Sequence, residues 1–287
     1  MNSGKIKFWG TRGTFPIPKT DMLKYGGNTS CIEVISPSSE QKDSSVIIDG
    51  GSGIVGYGDQ AWEKGIRNYH IIFSHTHYDH ILGFTKFLPL FQQNSHISIY
   101  GQTKNGLTIK DIFEKFFSFP FFPVTYKNLS AKLTFHEIKH AESTVINDIE
   151  FSFQSLNHPQ KALGIKGTFK NKDSFVYATD HEHGTSLDDE LKVFCKDTKL
   201  LIYDSSFCNE DFKLGWGHST SSQGALLAKE SHCKSLGIFH HDPDSSDDIL
   251  EKILLPQAQE IFPTSFLCME GRTFNLSTLL YDDLLTA

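Results

Sequence analysis

The sequence lacks closely spaced cysteines that could form a disulfide framework or a redox motif. Its five cysteines are an odd number, and no two of them form a CxxC pair. We therefore expect free thiols that are buried or partly buried, which is typical of a reducing compartment.

Long apolar runs are absent as well. No stretch approaches the roughly 18 apolar residues that a membrane-spanning helix needs. Residues 1–10 contain no apolar segment typical of a signal peptide. We expect a cytoplasmic protein that has no membrane partner.

The sequence has no excess of positive charge. Its 27 Lys and Arg residues are spread along the chain against 34 Asp and Glu, so the formal net charge is −7 and the pI is near 6.0. Proteins that bind long nucleic acids usually carry a basic face or arm, so such a partner is less expected. A small phosphate ester remains compatible, because a bound metal would supply positive charge locally.

The remaining composition is that of an ordinary globular protein. The chain has 287 residues, of which 38% are hydrophobic and 21% charged, which is enough to bury a sizeable core. The linker-like segment 36–45 has apolar runs on both sides, which predicts a hairpin loop rather than a domain boundary. We therefore predict one domain over residues 1–287.

Short apolar runs predict strands that first meander and then alternate with helices. Strands are predicted at 5–9, 70–74, 97–101, 132–138, 149–156, 175–180, 199–204, 236–241 and 265–270. Helices are predicted near 79–91, 106–117, 187–196, 221–233 and 246–261. This mixture predicts a layered α/β fold with at least one mixed sheet.

The most informative motif is SHTHYDH, residues 74–80, directly after the apolar run HIIF. Strand-like spacing predicts that His75 and His77 point to the same side. Asp79 and His80 then begin a predicted helix, which turns them toward the same point. Imidazole and carboxylate ligands suit Zn, Mn or Fe better than a thiolate site would.

This HxHxDH pattern resembles the signature of the metallo-β-lactamase superfamily. The resemblance implies further ligands at the ends of later strands: His158 as the third histidine, Asp180 as a bridging aspartate and His240 as the last histidine. His241 directly follows His240 and could be confused with it. The family's redox di-iron members carry Glu at the second ligand position, so His77 favours hydrolysis.

Further motifs resemble the phosphodiesterase-like branch of this superfamily, which includes tRNA 3′-processing endonucleases and bacterial cyclic-nucleotide phosphodiesterases. They are FWGTRGTFP (8–16), YGGNTSCIEV (25–34), IDGGSG (48–53), GWGHST (215–220) and FHHDPD (239–244). The resemblance covers nearly the whole chain. It implies a four-layer αβ/βα sandwich, in which two central sheets are flanked by helices and a metal site lies at one edge.

The resemblance also implies two divalent metal ions, with Zn as the first choice and Mn or Fe as alternatives. One ion would be held by His75, His77 and His158, the other by Asp79, His80 and His240, with Asp180 between them. Asp79 is also expected to act in catalysis by orienting the attacking water.

His218 is the remaining candidate catalytic residue. It precedes Ser219 in the glycine-flanked GWGHST segment, at the start of a predicted helix. The resemblance implies a general acid or a phosphate ligand, whereas a structural interpretation is a helix N-terminal residue that caps its neighbours. Gly215 and Gly217 leave room for substrate, which favours a function.

These residues predict a dinuclear hydrolase that cleaves phosphodiester bonds in a small substrate such as a 3′,5′-cyclic nucleotide. A structured-RNA 3′ endonuclease and a lactone or thioester hydrolase are alternatives on the same metal site. A protein that keeps the metals only for binding or regulation is a further alternative. A homodimer is compatible with the sequence.

Several other residues have weaker signals. The Phe- and Pro-rich segment 112–126 is either a loop that packs on the core or an aromatic wall for a base or a dimer. Arg12, Asn28 and Asp204 are expected to be structural, and Cys208 a buried thiol without a metal role. The histidines not expected to be ligands are His70, His136, His140, His181, His183 and His241.

Overall fold

The computed structural model describes residues 3–37 and 43–282, and its strands form two mixed sheets. The described strands are β1 (Lys5–Gly10), β2 (Cys31–Ile35), β3 (Ser44–Ile48), β4 (Asn68–Ile72), β5 (His96–Gly101), β6 (Lys132–Glu137), β7 (Ser143–Ile146), β8 (Ile149–Leu156), β9 (Ala162–Thr168), β10 (Ser174–Ala178), β11 (Leu200–Asp204), β12 (Ser235–Phe239), β13 (Ser265–Leu267), β14 (Thr273–Asn275) and β15 (Leu280–Tyr281).

Helices connect many of these strands. The described α-helices are α1 (Ile54–Glu63), α2 (Tyr78–Ile81), α3 (Ile109–Phe116), α4 (Leu187–Cys195), α5 (Ser221–Glu230), α6 (Asp247–Ile249) and α7 (Leu255–Ile261). A π-helical turn, Leu250–Leu254, joins α6 to α7.

The first sheet has eight strands in the order β15-β14-β1-β2-β3-β4-β5-β6. The four strands from β3 to β6 are parallel, and the others pair antiparallel. The second sheet has the order β13-β12-β11-β10-β9-β8-β7. Strands β10 to β13 are parallel there, and β7 to β10 pair antiparallel. Both sheets are therefore mixed.

Side-chain alternation explains how the layers stack. In β3, Ile48 points into the core between the two sheets and Ile47 points into the core beneath α1 and α3. Strands β10, β11 and β12 are apolar and buried on both faces, as is typical of parallel strands covered on both sides.

Three apolar cores result from this stacking. One lies between the sheets and contains Phe8 and Phe153. A second lies between the first sheet and its helices, with Tyr57 from α1 and Phe113 from α3. The third lies between the second sheet and α4, α5 and α7, with Leu191 among its members. The order helix, sheet, sheet, helix confirms the four-layer αβ/βα sandwich.

Some predicted element boundaries are wrong. The helix predicted near 79–91 is one turn of α2 followed by two 3-10 segments, Leu82–Lys86 and Leu88–Phe91. At the break, the Gly83 amide donates to the Gly50 carbonyl oxygen at 3.1 Å, a bond outside the helix. Glycine fits this close approach because a Cβ there would meet the Gly51 carbonyl oxygen at 2.0 Å. Strand β4 ends at Ile72, two residues before the predicted end.

Other predictions agree with the fold. Strands β2 and β3 pair antiparallel on either side of the predicted hairpin loop, whose residues 38–42 lie outside the described residues. All five cysteines are free and buried, as expected. Within the described part of the chain, no helix combines the length and the apolar character needed to span a membrane.

Candidate metal centre

The candidate ligands gather where strands of both sheets end. Three non-glycine residues that follow strands here, Asp49, Asp180 and His240, have left-handed backbone conformations with φ of 61°, 58° and 59°. Such conformations are unfavourable for residues with a Cβ and persist where the surrounding structure enforces them. The sharp turns aim these side chains into one buried volume between the sheets.

The first ligand cluster consists of His75, His77, His158 and Asp180, whose ligand atoms lie within 4.8 Å of one another. His158 Nε2 lies 3.1 Å from His77 Nδ1. His75 and His77 follow the end of β4, so their convergence comes from the loop and not from strand alternation.

The second cluster consists of Asp79, His80, Asp180 and His240, again within 4.8 Å. His240 Nε2 lies 3.2 Å from Asp79 Oδ2, and His80 Nε2 lies 3.3 Å from the same oxygen. Asp79 and His80 are brought to this point by the first turn of α2.

Asp180 belongs to both clusters because its two oxygens face different ways. Its Oδ1 lies 3.2 Å from His80 Nε2 and 3.1 Å from His240 Nε2. Its Oδ2 lies 3.6 Å from the Nε2 atoms of both His75 and His158. This is the geometry that a bridging carboxylate requires.

Neighbouring groups determine which imidazole nitrogen faces the centre. His80 Nδ1 lies 2.8 Å from Asp49 Oδ2, and His158 Nδ1 lies 2.8 Å from the Gly217 carbonyl oxygen. His240 Nδ1 lies 3.1 Å from Ser206 Oγ. With Nδ1–H donated outward, each Nε2 lone pair is directed inward, as is usual for metal-binding histidines.

Asp49 is a site residue that the sequence did not single out. It is fully buried, and it accepts hydrogen bonds from the Ser74 amide at 2.8 Å and the Tyr177 hydroxyl at 2.9 Å, besides contacting His80. Ser74 Oγ also donates to Asp49 at 2.7 Å and lies 3.2 Å from His75 Nδ1. The acidic residue in IDGGSG at the end of an apolar strand was the signal that could have found it.

The chemistry of both clusters fits divalent metal ions. His75 Nε2 and His80 Nε2 are buried and make no well-aligned hydrogen bond among the described residues, although carboxylate oxygens lie near both. Burial lowers the pKa of His75, His77 and His158, so these imidazoles are neutral at pH 7, the form that binds metals.

The carboxylates of the centre are ionised. Burial alone would raise the pKa of Asp79 and Asp180, but the adjacent histidines outweigh it and hold both pKa values below the ordinary range. Burial opposes a proton on His80, yet the surrounding carboxylates, Asp79 first and then Asp180 and Asp49, raise its pKa well above 6.5. The site therefore attracts positive charge strongly, which a divalent cation can supply in place of that proton.

His218 lies beside the second cluster and is paired with Asp204. Its Nδ1 is 2.7 Å from Asp204 Oδ2, and its ring stacks on His240 with centroids 4.9 Å apart. Burial opposes protonation of His218, but the charge of Asp204 and its hydrogen bond raise the pKa of His218 to about 9. The sequence favoured a structural role for Asp204, whereas this contact places it next to the candidate acid.

Two glycines make room for ligand rings. A Cβ at Gly13 would lie 2.2 Å from His240 Nδ1, and one at Gly217 would lie 2.4 Å from His158 Nδ1. The GTRG motif, which alone indicates a tight turn, is thus part of the wall of the centre. The amide of the next residue, Thr14, donates to Asp79 Oδ2 at 2.8 Å.

An open cavity of about 550 Å³ gives access to the centre. Its lining includes ligand residues of both clusters together with His218. The other residues that line it are Thr14, Thr76, Tyr78, Pro159, Gln160 and Trp216.

His241, which directly follows the ligand candidate His240, has a different environment. His241 Nε2 donates to the Cys268 carbonyl at 2.9 Å, and burial together with Arg12 lowers the pKa of His241 to about 3. The geometry therefore selects His240 and not His241. Arg12 itself is fully buried and donates to the carbonyl oxygens of Gly26 and Asp242, which agrees with a structural role.

A third group, His181, His183 and Asp188, also has ligand atoms within 4.8 Å. His181 Nδ1 accepts a hydrogen bond from the Asn157 amide, so its Nε2 carries the proton and donates to Asp188 at 2.8 Å. Both nitrogens of His181 are thus used, and this group is a hydrogen-bonded support of the loop after β10.

The Phe- and Pro-rich segment 112–126 packs partly on the core, as one of its two interpretations expects. Phe113 and Phe117 are buried in the core beneath the first sheet, whereas Phe119 and Phe121 are exposed. No described residue of the segment lines the cavity of the metal centre, so an aromatic wall at that centre is not formed by it.

Two mixed sheets between helix layers, with histidines and aspartates gathered at one edge, define the class of metallo-β-lactamase folds. The chain belongs to the beta-lactamase superfamily, because the Beta-lactamase superfamily domain model matches residues 46–241. That match includes the strand ends that carry all seven candidate ligands.

Curated relatives are ribonucleases Z. The chain is 33% identical over 111 residues to ribonuclease Z of Prochlorococcus marinus (strain MIT 9515), an alignment covering 37% of this chain and 34% of that protein. It thus spans about a third of the length of that relative. Ribonuclease Z of Picrophilus torridus is 26% identical over 316 residues, covering 95% of this chain and 96% of the relative.

Solved structures show the same fold. The Bacillus subtilis metallo-β-lactamase fold protein YhfI matches with a TM-score of 0.71 at 20% identity, covering 96% of this chain and 99% of that one. The short form of human tRNase Z matches with 0.67 at 18%, covering 95% and 99%. Unliganded yeast PDE1 matches with 0.68 at 15%, also covering 95% and 99%.

Proposed function

We propose that the protein is a metal-dependent hydrolase that cleaves phosphodiester bonds in small substrates, such as a 3′,5′-cyclic nucleotide. The observation that carries the proposal is the His218–Asp204 pair, which lies beside two clusters of candidate metal ligands on one cavity. A protonated imidazole next to a metal centre suits the departure of an alkoxide, which needs a proton.

Two divalent ions would be held by the two clusters, with Asp180 between them. Zn is the first choice for this ligand set, and Mn or Fe are alternatives. When bound, such ions neutralise the charge of a phosphodiester and lower the pKa of coordinated water. We further propose that residues 1–287 act as one hydrolase domain, because both sheets contribute to this one centre.

The protein's own residues would orient the attacking water and protonate the leaving oxygen. Asp79, whose Oδ2 accepts a hydrogen bond from the Thr14 amide, would orient the attacking water. Asp204 holds the imidazole of His218 by its Nδ1, so Nε2 is the atom that donates a proton to the leaving oxygen. The Gly217 carbonyl, which holds His158, precedes His218 directly, so the acid and a ligand are positioned by one loop.

A 3′ endonuclease acting on structured RNA is the second candidate. The names of the curated relatives favour it, since they are ribonucleases Z. The net charge of −7 favours a small substrate, because binding a large RNA usually needs a basic surface.

One screen tests these candidates. Protein loaded with Zn or Mn would be assayed with cyclic nucleotides, bis-p-nitrophenyl phosphate, a tRNA precursor and a lactone. We expect phosphodiester cleavage with a preference for small esters over the tRNA precursor. Robust lactone hydrolysis without any phosphodiesterase activity would overturn the proposal, and a strong preference for the tRNA precursor would favour the second candidate.

A further inference from the structure

Two large aromatic side chains are exposed on the cavity of the metal centre. Tyr78 is 76% exposed and Trp216 is 61% exposed, and both line this cavity. Single exposed aromatics are common on protein surfaces. Here the two border the place where the scissile phosphate would lie, so they are positioned to contact the rest of the substrate.

The chain holds both residues firmly at this position. Tyr78 lies between the ligand candidates His77 and Asp79, at the first residue of α2. Its backbone is therefore tied to the metal centre.

Trp216 lies between two glycines with positive φ, Gly215 at 82° and Gly217 at 83°. The Gly217 amide donates to Glu182 Oε2 at 2.8 Å, and the Gly217 carbonyl contacts His158 Nδ1. The loop that displays the indole is thus fastened through both backbone polar groups of Gly217, which lowers the entropy lost when the indole binds a ligand.

We propose that Trp216 and Tyr78 form a stacking subsite for the nucleobase of a nucleoside phosphodiester, an inference that rests on the proposed function. Every base has a π-face, and base stacking on aromatic side chains tolerates different base sequences. The ammonium of Lys213 lies 4.7 Å from the Trp216 ring centroid. That contact occupies one face of the indole, and the base stacks on the other.

The metal centre by itself does not select which organic group the phosphodiester carries. Metal ions and His218 act on the phosphodiester group, which a simple alkyl phosphodiester shares in charge and shape. An aromatic platform beside them selects esters that carry a planar ring. The substrate class is therefore a nucleoside ester and not a simple alkyl phosphodiester.

The test compares two substrates that share one leaving group. Thymidine 5′-(p-nitrophenyl phosphate) and methyl p-nitrophenyl phosphate differ only in the group that remains on phosphorus. For the metal-loaded wild type we expect kcat/KM to favour the thymidine ester. Trp216→Ala and Tyr78→Ala should each lower that preference by about 5- to 150-fold, the range of stacking losses per base.

Two kinds of control variant sharpen the test. Trp216→Phe and Tyr78→Phe keep a ring and should retain most of the preference, which a hydrogen-bonding role of either residue would not allow. Leu214→Ala removes an 80% exposed apolar side chain from the same loop that does not line the cavity. It should leave both rates unchanged.

Fluorescence provides a readout that does not depend on turnover. Trp216 is well exposed, whereas Trp9 and Trp62 are partly buried away from this cavity. Thymidine 5′-monophosphate should quench the emission of the wild type but not of Trp216→Phe, and methyl phosphate should quench neither.

The outcomes separate the subsite from the proposed function. If the wild type hydrolyses neither ester, the proposed phosphodiesterase function fails, and quenching by thymidine monophosphate still decides whether the base binds. If the methyl ester is hydrolysed equally well, or if Trp216→Ala lowers both rates equally, the stacking subsite is overturned while the phosphodiesterase function stands.

Discussion

The two halves of the candidate metal centre share Asp180 but differ in their contact with the cavity. In the first half, His77 and His158 both line the open cavity. In the second half, Asp79 also lines the cavity, but His80 and His240 are 0% and 1% exposed and do not. The two histidines of the second half are thus covered by protein, so we call this half the enclosed half and the first one the cavity-facing half.

The groups that contact the outer nitrogens of the ligand histidines also differ between the two halves. In the enclosed half, His80 contacts the carboxylate of Asp49 directly, and His240 contacts the hydroxyl of Ser206. In the cavity-facing half, His75 contacts the hydroxyl of Ser74 and His158 contacts a backbone carbonyl, both neutral groups. Hydrogen bonds to a charged group are the stronger ones. We infer that the enclosed half would anchor a metal ion more firmly, and that the cavity-facing half would leave access to substrate.

The largest expected effect follows from changing the residue that both halves share. Asp180→Asn removes a negative charge between the two clusters, so metal content should fall well below two ions per chain. Changes to groups that only support ligands cost about 10- to 100-fold, so activity should fall by more than that. Elemental analysis and phosphodiester hydrolysis measure both effects.

Asp189→Asn is the matched control for Asp180→Asn, because it removes an exposed carboxylate on α4 that belongs to neither cluster. It should keep metal and rate. Full retention of two ions in Asp180→Asn would contradict the bridging role.

The next largest effect is expected from changing His218, the candidate general acid, which is not one of the seven candidate metal ligands. His218→Ala should lower kcat on an unactivated phosphodiester by ~10²–10⁴-fold, the usual range for a lost general acid, while metal content stays the same. The loss should be smaller for a p-nitrophenyl ester, whose leaving group needs little protonation. Equal losses on both esters would instead indicate phosphate binding, and an unchanged rate on the unactivated ester would exclude both roles.

A smaller effect is expected from changing Asp49, the carboxylate that contacts His80 in the enclosed half. Asp49→Asn should weaken the binding of one ion by about 10- to 100-fold, as expected for a group that orients a ligand, and mainly in the enclosed half. Competition with a chelator measures this affinity. Tyr177→Phe is the control, because it removes one hydrogen bond to the same carboxylate without altering the contact with His80. Equal weakening of both ions by Asp49→Asn would remove the distinction between the halves.

The smallest expected effects come from the two glycines that contact ligand rings. Gly13→Ala crowds His240 in the enclosed half, and Gly217→Ala crowds His158 in the cavity-facing half. Each should lower the free energy of unfolding by about 1–3 kcal/mol, as overpacking does, measured by urea denaturation.

Gly215→Ala is the control for Gly217→Ala, since both glycines have φ near 82° but nothing lies within 4 Å of a Cβ at Gly215. It isolates the cost of the backbone conformation. If Gly215→Ala and Gly217→Ala destabilise equally, crowding of His158 makes no contribution.

Part of the centre could be predicted because the HxHxDH motif resembles a known family signature, and that resemblance implies further ligands after later apolar strands. His158, Asp180 and His240 each come directly or two residues after a buried strand, and strand ends that share a sheet edge lie near one another. Asp49 follows a strand in the same way, but a single aspartate in a glycine-rich turn is equally typical of a surface loop. Its contact with His80 depends on β3 lying parallel beside β4, which the sequence does not show.

The sequence by itself determined the kinds of ligand, their order along the chain and the layered α/β class, because residue chemistry and the spacing of apolar residues are local properties. Only the tertiary structure decided which atoms meet. It selected His240 over His241, paired Asp204 with His218, and turned the two oxygens of Asp180 toward different clusters. These choices depend on backbone turns at strand ends and on hydrogen bonds between residues far apart in the chain, so no local pattern can encode them.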